Sequence, residues 1–533
     1  MMKKLNFLIK TLLFVFIIFS FLYSDFNKRE NRVKPRYGGV FRIKSFTNEF
    51  RPELDPASPE SFIFISEQIY DGLIRLDKNF NIIPSLAEYW EISSDGKRYR
   101  FHLRKGVKFH QGRELSAEDV KFSLERLLDR KTDSPYFHFF FNRVVGAKDF
   151  REGKANDVEG FRALDKYTFE IQWTRPFISA LYLMSMPFCK ILPQDLVQDR
   201  GKKFFLNPSG TGPFMFRYWI RTTKLEIAGV RLERNDEYFG GKPYLEAVEF
   251  CPLYTLNHFL NREIDSIPVL SEKLLESNYQ IFQDGSLHHV FLGMSCHITP
   301  LDNPLVRRAI SYGIDKRKVS RAAYDLKTLK QVVNSYIPSR LPGFFPSEDE
   351  KTYDLKRAEE LLQKAGFSSE KEFPSLTFFL DLPKTELKTK VSRELRKQFE
   401  TLLGIKLKVN YYKSPKEIRQ FKKPYLVLVG ILMNFPDPED IIRPLFFSKS
   451  IFNLFGYDNP AIDNLLLKAE VERSWTKRIN LFHQIEETLF SDVPAVPLFS
   501  KQNMVAMQPY VRGVEIPPLG LYYLEAKKIW LDK

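Results

Sequence analysis

The chain has 533 residues, enough for several cores, and its 49 Phe and 24 Tyr leave no stretch poor enough in apolar residues to stay disordered. Lys and Arg outnumber Asp and Glu by 81 to 66, a net charge of +15, yet the basic residues fall in short runs such as Lys202-Lys203 and Lys422-Lys423. Without a DNA- or RNA-binding motif beside them, these runs read as solvated faces, and nucleic acid is not an expected partner.

In chain order, residues 1–24 carry Lys3, Lys4 and Lys10 and then an apolar run from Leu12 to Tyr23 broken only by Ser20. A basic start and about a dozen apolar residues fit a secretory signal. Retained uncleaved, the segment would be an N-terminal anchor. No cysteine lies nearby, so a lipoprotein is not expected. Val40-Phe41-Arg42-Ile43 after a glycine pair reads as a first strand, and Leu54-Asp55-Pro56 as a loop.

The stretch from Tyr70 to Leu128 is the most informative. Leu73, Ile74 and Leu76 are closed by the turn Asp77-Lys78-Asn79, and Ser94-Asp95-Gly96 marks a hairpin. Tyr99, Phe101 and Leu103 alternate with Arg98, Arg100 and His102, the period of a half-buried strand with a basic outer face. Ser116 followed by Glu118 and Asp119 is a helix start, and Val120, Leu124, Leu127 and Leu128 give the helix its apolar stripe. Val158–Ile171 reads as two short strands about Asp165-Lys166. Gly210-Thr211-Gly212-Pro213 is a tight turn; a phosphate-binding loop is excluded, because no Lys-Ser/Thr follows.

Asn303-Pro304 opens a helix after the apolar strand His288–His297, and residues 358–367 form another helix ended by glycine. Leu376–Leu380 and Ile405–Val409 read as strands flanking a helix, an α/β alternation. Leu426–Val429 is a buried-type strand, with Gly430 letting another backbone approach. Phe435-Pro436-Asp437-Pro438 turns the chain into a helix begun by Glu439-Asp440. Val493–Leu498 is a proline-spaced extended segment.

No catalytic pattern emerges. The eight histidines lack metal-ligand spacing, and His288-His289, adjacent on a strand, point to opposite sides. There is no nucleophile elbow. The three cysteines Cys189, Cys251 and Cys296, far apart and odd in number, are expected to be buried thiols, with a single bridge as the alternative. Neither an enzyme, a metal site nor a cofactor is expected.

Several ordered blocks resemble the family 5 extracellular solute-binding proteins of ABC transporters: IYDGLIRLD, IPSLAEYWEISSDGKRYRFHLRKGVKFHQG, LSAEDVKFSLER, GTGPF and NPLVRRAISYGIDK. The likeness runs over about residues 36–530. It implies a two-lobed α/β periplasmic-binding fold (type II, cluster C) with an extra α+β subdomain in the first lobe. Its implied limits are 36–66, 169–288 and 499–533 for the first-lobe core, 67–168 for the extra subdomain and 289–498 for the second lobe. The implied function is an extracytoplasmic receptor, a monomer, that captures short peptides between the lobes and delivers them to a membrane permease. The alternatives are a non-peptide solute such as a nickel chelate or sugar, or a membrane-tethered sensory or scaffold protein with the same fold.

The resemblance also implies cleft residues: Glu60, Phe62, Tyr136, Gly430, Ile431, Leu432, Asn434 and Tyr457. In the peptide receptors the stretch matching 430–438 reads roughly G-W-x-A-D-Y-x-D-P, and its Asp holds the peptide's α-amino group. Here Ile431 replaces the Trp, Met433 the small residue, and Asn434 the Asp, so the expected ion pair is missing. Glu60 and Glu439 are candidates for the lost charge. Tyr457 either lines the cleft or belongs to a turn capping the helix from Pro460.

Overall fold

The computed structural model describes residues 34–44, 52–58, 63–269, 272–285, 287–323, 332–341, 343–344, 353–367, 373–382, 384–402, 404–517 and 519–533. The signal or anchor expected in residues 1–24 lies outside them, as do Glu60 and Phe62. Among the described residues no helix is long and apolar enough to cross a membrane.

Two sheets organise the chain. The larger has seven strands in the order Gln280–Gln283, Met504–Met507, Ser266–Pro268, Val40–Ile43, Ala247–Phe250, Ile227–Arg234 and Phe214–Arg221. The second has five, ordered Leu407–Tyr412, Leu376–Asp381, Tyr425–Leu432, His288–Met294 and Ala495–Lys501. Each lobe of this two-lobed α/β fold is built on one of them. Among the described residues the chain passes from the larger sheet to the second between Gln283 and His288 and returns between Lys501 and Met504. The two passages are laced side by side: Asn503 donates to the Asp284 carboxylate from its backbone (2.9 Å) and its side chain (2.8 Å).

The extra subdomain has a four-stranded antiparallel sheet, ordered Ala87–Ile92, Arg98–Leu103, Thr168–Gln172 and Phe161–Asp165. The last of these strands in chain order, Thr168–Gln172, runs past the limit at residue 168 drawn from the resemblance. Tyr99, Phe101 and Leu103 are buried while Arg98 and Arg100 are exposed, as the alternation requires. The covering helix Ala117–Leu128 starts where Asp119 reaches back to accept from the Ser116 backbone N–H and hydroxyl, both at 2.9 Å.

The Gly210–Gly212 turn packs against helix Ile63–Ile69 so closely that a Cβ on Gly210 would stand 2.0 Å from the Ile69 carbonyl oxygen. Glycine is demanded there by close approach of backbones, not by phosphate. Cys189 and Cys251 are buried, whereas Cys296 is only half-buried. Cys296, two residues past the end of strand His288–Met294, departs from the expectation of three buried thiols only in part: its Sγ lies 3.2 Å from the Met294 carbonyl oxygen, and burial raises its pKa.

Candidate functional site

Strand Tyr425–Leu432 runs three residues past Val429, because it is paired from Leu426 to Leu432 with His288–Met294. On its other edge, the parallel partner Leu376–Asp381 pairs only with Tyr425, Leu426 and Val427. The Met433 N–H donates to the Leu287 carbonyl at 3.1 Å. Since successive strand amides point to opposite edges, the N–H groups of Leu432 and Gly430 are directed away from His288–Met294, toward the edge that the parallel partner has left. Gly430 and Leu432 are exposed and Ile431 is half-buried. On the face where a Gly430 side chain would stand, the neighbour is not a second backbone but the His288 imidazole, whose Nε2 lies 2.8 Å from the Cβ position. Burial holds His288 neutral, its pKa lowered to about 3.

Beyond Met433 the chain turns on Asp440. This carboxylate, in the first turn of helix Glu439–Phe446, accepts from the backbone N–H groups of Asn434 and Phe435 and from Asn434 Nδ2 at 3.2 Å. Burial raises its pKa to about 7, against those hydrogen bonds. Glu439 is not available as a free charge: it accepts from Arg143 (3.0 Å) and Arg443 (2.8 Å), and Arg478 lies 3.5 Å away. The sequence-based suggestion that Glu439 meets a ligand cation is therefore corrected, because three guanidiniums already surround it.

Tyr136 follows Ser134-Pro135 in a short turn, half-buried, with its ring stacked on Phe188 at 4.3 Å between centroids. Tyr523, from the final segment of the chain, has its hydroxyl pKa raised by burial and then by the charges of Glu67, Tyr136 and Asp440. Groups from the first lobe, the extra subdomain and the second lobe thus converge on this end of the strand.

A family model for bacterial extracellular solute-binding proteins, family 5, matches residues 81–453. The chain belongs to that family. It is 25% identical over 511 residues to the dipeptide-binding protein of Escherichia coli (strain K12), covering 89% of this chain and 91% of that one. It is 26% identical over 526 residues to the dipeptide-binding protein DppE of Bacillus subtilis (strain 168), covering 92% of each. Its fold matches, at TM-score 0.75 and 25% identity, the periplasmic binding protein DppA of Helicobacter pylori in complex with the peptide STSA, over 93% of this chain and 99% of that one. These relatives are solute-binding proteins, and the family is extracellular.

In this family 5 chain, Tyr457 is not at the cleft. It is 4% exposed, its hydroxyl donates to Asp492 at 2.6 Å, and its ring packs edge-on to Phe446. The reason is local: Asn459 caps helix Pro460–Val471 by accepting from Ala461 and Ile462, and the turn that delivers the cap buries Tyr457. Asn459→Ala is expected to cost about 1 kcal/mol of stability, measured as a lowered denaturant midpoint.

The sequence reading passed over Asp440 and Tyr523. Asp440 was legible only as a helix-start acid, and nothing local marks Tyr523 as a neighbour of a strand nearly a hundred residues earlier. The sequence also passed over the charged seam between the lobes. Arg478, fully buried, is bidentate to Asp437 (2.7 and 2.8 Å), and Asp437 also accepts from Ser179 Oγ (3.0 Å) in the first lobe. Glu470 receives Arg143 (2.9 Å) and Arg175 (2.7 Å) from the first lobe and Arg443 (3.2 Å) from its own.

Proposed function

We propose that this chain is the extracytoplasmic receptor of an ABC importer and captures short peptides between its lobes for delivery to membrane permease subunits. The observation that carries this reading is the strand edge at Gly430–Leu432. Backbone N–H groups there face away from the sheet, in position to pair with an extended ligand as an added strand. Each such hydrogen bond contributes about 0.5–1.5 kcal/mol net and is indifferent to side chain, which suits a receptor for many peptides. Gly430, Ile431, Leu432 and Asn434 line this edge, and Tyr136, with Glu60 and Phe62, contributes from the first lobe.

The passages laced by Asp284 and Asn503 serve as the hinge about which the lobes close. The first lobe takes residues 36–288 and 499–533, with the extra subdomain inserted in it, and the second takes 289–498. Residues 1–24 act as a cleaved signal without a lipid anchor, the receptor works as a monomer, and it catalyses no reaction on its ligand.

The test is native mass spectrometry of residues 25–533 as purified, followed by release and identification of whatever is bound. A ladder of added masses resolving to short peptides is expected. A single non-peptide mass would overturn the peptide assignment. A protein that is empty and stays silent when titrated with peptide pools would overturn the receptor role and favour a tethered, non-transport one.

A further inference from the structure

The larger sheet ends at strand Phe214–Arg221, which pairs with Ile227–Arg234 on one side and, among the described residues, with no strand on the other. The next strand, Ala247–Phe250, pairs with Ile227–Arg234 only from Val230 to Glu233. The end of the hairpin, from Ile220 round to Ile227, therefore runs past that strand. Leu225 sits at its tip. It is 72% exposed, more than any other large apolar side chain among the described residues. Its φ of 65° is the left-handed conformation that Gly or Asn adopts easily and a branched side chain does not. Neither burial nor turn chemistry accounts for a leucine there.

The surroundings of Leu225 are apolar and basic. Tyr218 is 49% exposed on the edge strand, and Leu206 is 48% exposed at the end of the short segment Gly201–Leu206. The Trp219 indole N–H ties that segment to the strand by donating to the Leu206 carbonyl at 2.8 Å. Lys202 and Lys203, read from the sequence as a solvated run, belong to the same segment, while Arg221 and Lys224 belong to the hairpin. All four are exposed, and none forms an ion pair among the described residues. The other cations here, Arg200 and Arg217, have Asp199 and Glu233 as partners. Against the four unpaired cations the turn offers one acid, Glu226.

A strand from another protein would need a flat, regular edge. This one shifts register between Phe216 and Tyr218 and again between Ile220 and Arg221, and it presents Arg217 and Arg221 to solvent. Such bulges and charges keep strands from adding. An anionic bilayer needs no register: it takes Trp and Tyr at headgroup level, an aliphatic side chain deeper, and Lys and Arg against the phosphates. We infer that this end of the first lobe rests on an anionic phospholipid surface. Leu225 is the inserted side chain, and Lys202, Lys203, Arg221 and Lys224 are the headgroup contacts. The inference goes beyond peptide capture and does not depend on what the cleft holds. One leucine and four cations give a reversible, salt-sensitive attachment, enough to concentrate the first lobe at the leaflet without anchoring it.

The test is co-sedimentation of the chain from residue 25 onward, which leaves out the apolar run from Leu12 to Tyr23. The vesicles are phosphatidylcholine alone or phosphatidylcholine with about one-third phosphatidylglycerol. Binding to the anionic vesicles is expected to be roughly tenfold tighter or more, and to be mostly lost between about 0.1 M and about 0.5 M salt. The variant Lys202→Gln/Lys203→Gln/Arg221→Gln/Lys224→Gln is expected to bind about fiftyfold more weakly or worse, since each Lys or Arg at such a surface contributes roughly fivefold. Lys406→Gln/Lys408→Gln/Lys422→Gln/Lys423→Gln, at exposed positions of the second lobe, makes the same change in net charge and is expected to bind within about twofold of the parent. Leu225→Asn suits the left-handed turn better, so its thermal melt is expected at or above the parent's while its vesicle binding falls about tenfold. Equal loss in the two four-residue variants would make the binding a matter of net charge, and full binding by Leu225→Asn would remove the inserted tip; either overturns the inference. A parent chain that binds both kinds of vesicle alike, or neither, also overturns it, and the last outcome leaves this face to a protein partner. Peptide capture stands through all of these outcomes, because no residue of the hairpin belongs to the proposed cleft.

Discussion

Arg478→Met is expected to lower the unfolding free energy by about 3–5 kcal/mol, because it strands Asp437 as an unpaired buried charge. The side chain is 0% exposed and makes four hydrogen bonds: two to Asp437, one to Ser179 Oγ at 3.2 Å and one from Nε to the Ala469 carbonyl at 2.9 Å. Methionine keeps most of the volume and removes every donor. The Ser179 hydroxyl can still donate to Asp437, but one neutral hydrogen bond does not replace a bidentate ion pair. Urea unfolding followed by circular dichroism measures the loss as a lower midpoint. A companion variant sharpens the test: with Asp437→Leu added, no charge is left behind and most of the stability should return, since apolar replacement of a whole buried pair is often neutral. If Arg478→Met alone is as stable as the parent, Arg478 does not carry the seam.

Glu470→Ala is expected to loosen the contact between the lobes and so act on ligand release. Glu470 is 1% exposed and is the common acceptor of Arg143 and Arg175 from the first lobe and Arg443 from the second. Without it three guanidiniums converge with Glu439 as their remaining acid. Arg175 is 44% exposed and can turn to solvent, so most of the penalty falls on Arg143 and Arg443. Loss of one partner from a buried pair costs about 3–5 kcal/mol. Even a third of that, spent against the closed arrangement, speeds dissociation roughly tenfold. Stopped-flow displacement of a bound peptide measures the rate, and small-angle scattering of the ligand-free protein measures a larger radius of gyration. An unchanged dissociation rate together with an unchanged radius would show that the seam is not a closure contact.

Much of the architecture could be read without coordinates, for a physical reason visible in particular residues. The alternation of Tyr99, Phe101 and Leu103 with basic neighbours is a local consequence of which side faces a core, so it survives as strand Arg98–Leu103. Asn303-Pro304 and Ser116 mark helix starts through chemistry confined to one turn, and both helices begin there. Strand Tyr425–Leu432 was visible as far as Val429, where Gly430 interrupts the apolar run. Its last residues stay in the sheet because His288 and His289 pair with Leu432 and Ile431, a partnership that composition cannot report.

The candidate site was legible in its frame and not in its charges. Asn434 and the edge at Gly430–Leu432 were implied by the resemblance, with the strand itself read from residue order only as far as Val429. Which acid backs Asn434 was not implied: Asp440, Glu439 and Asp437 are all acids in one short turn, and only packing decides that Glu439 and Asp437 meet arginines while Asp440 meets the amides of Asn434 and Phe435. Tyr457 shows the same limit from the other side, since a tyrosine near a turn can face a cleft or a core, and the Asn459 cap settles it inward.

The sequence by itself determined individual strands, helix starts and turns, because these depend on periodicity and caps acting over a few residues. The two-lobed α/β fold and the cleft edge were legible only through the resemblance of its ordered blocks to family 5. The tertiary structure alone decided the partners of the buried charges, the His288 ring over Gly430 and the seam from Arg143 and Ser179 to Glu439, Glu470 and Arg478. The pairs that cross the seam, Arg143 with Glu439 and Glu470 and Ser179 with Asp437, lie 296, 327 and 258 residues apart in the chain. Nothing in local spacing encodes which side chains folding will bring within 3 Å or so of one another.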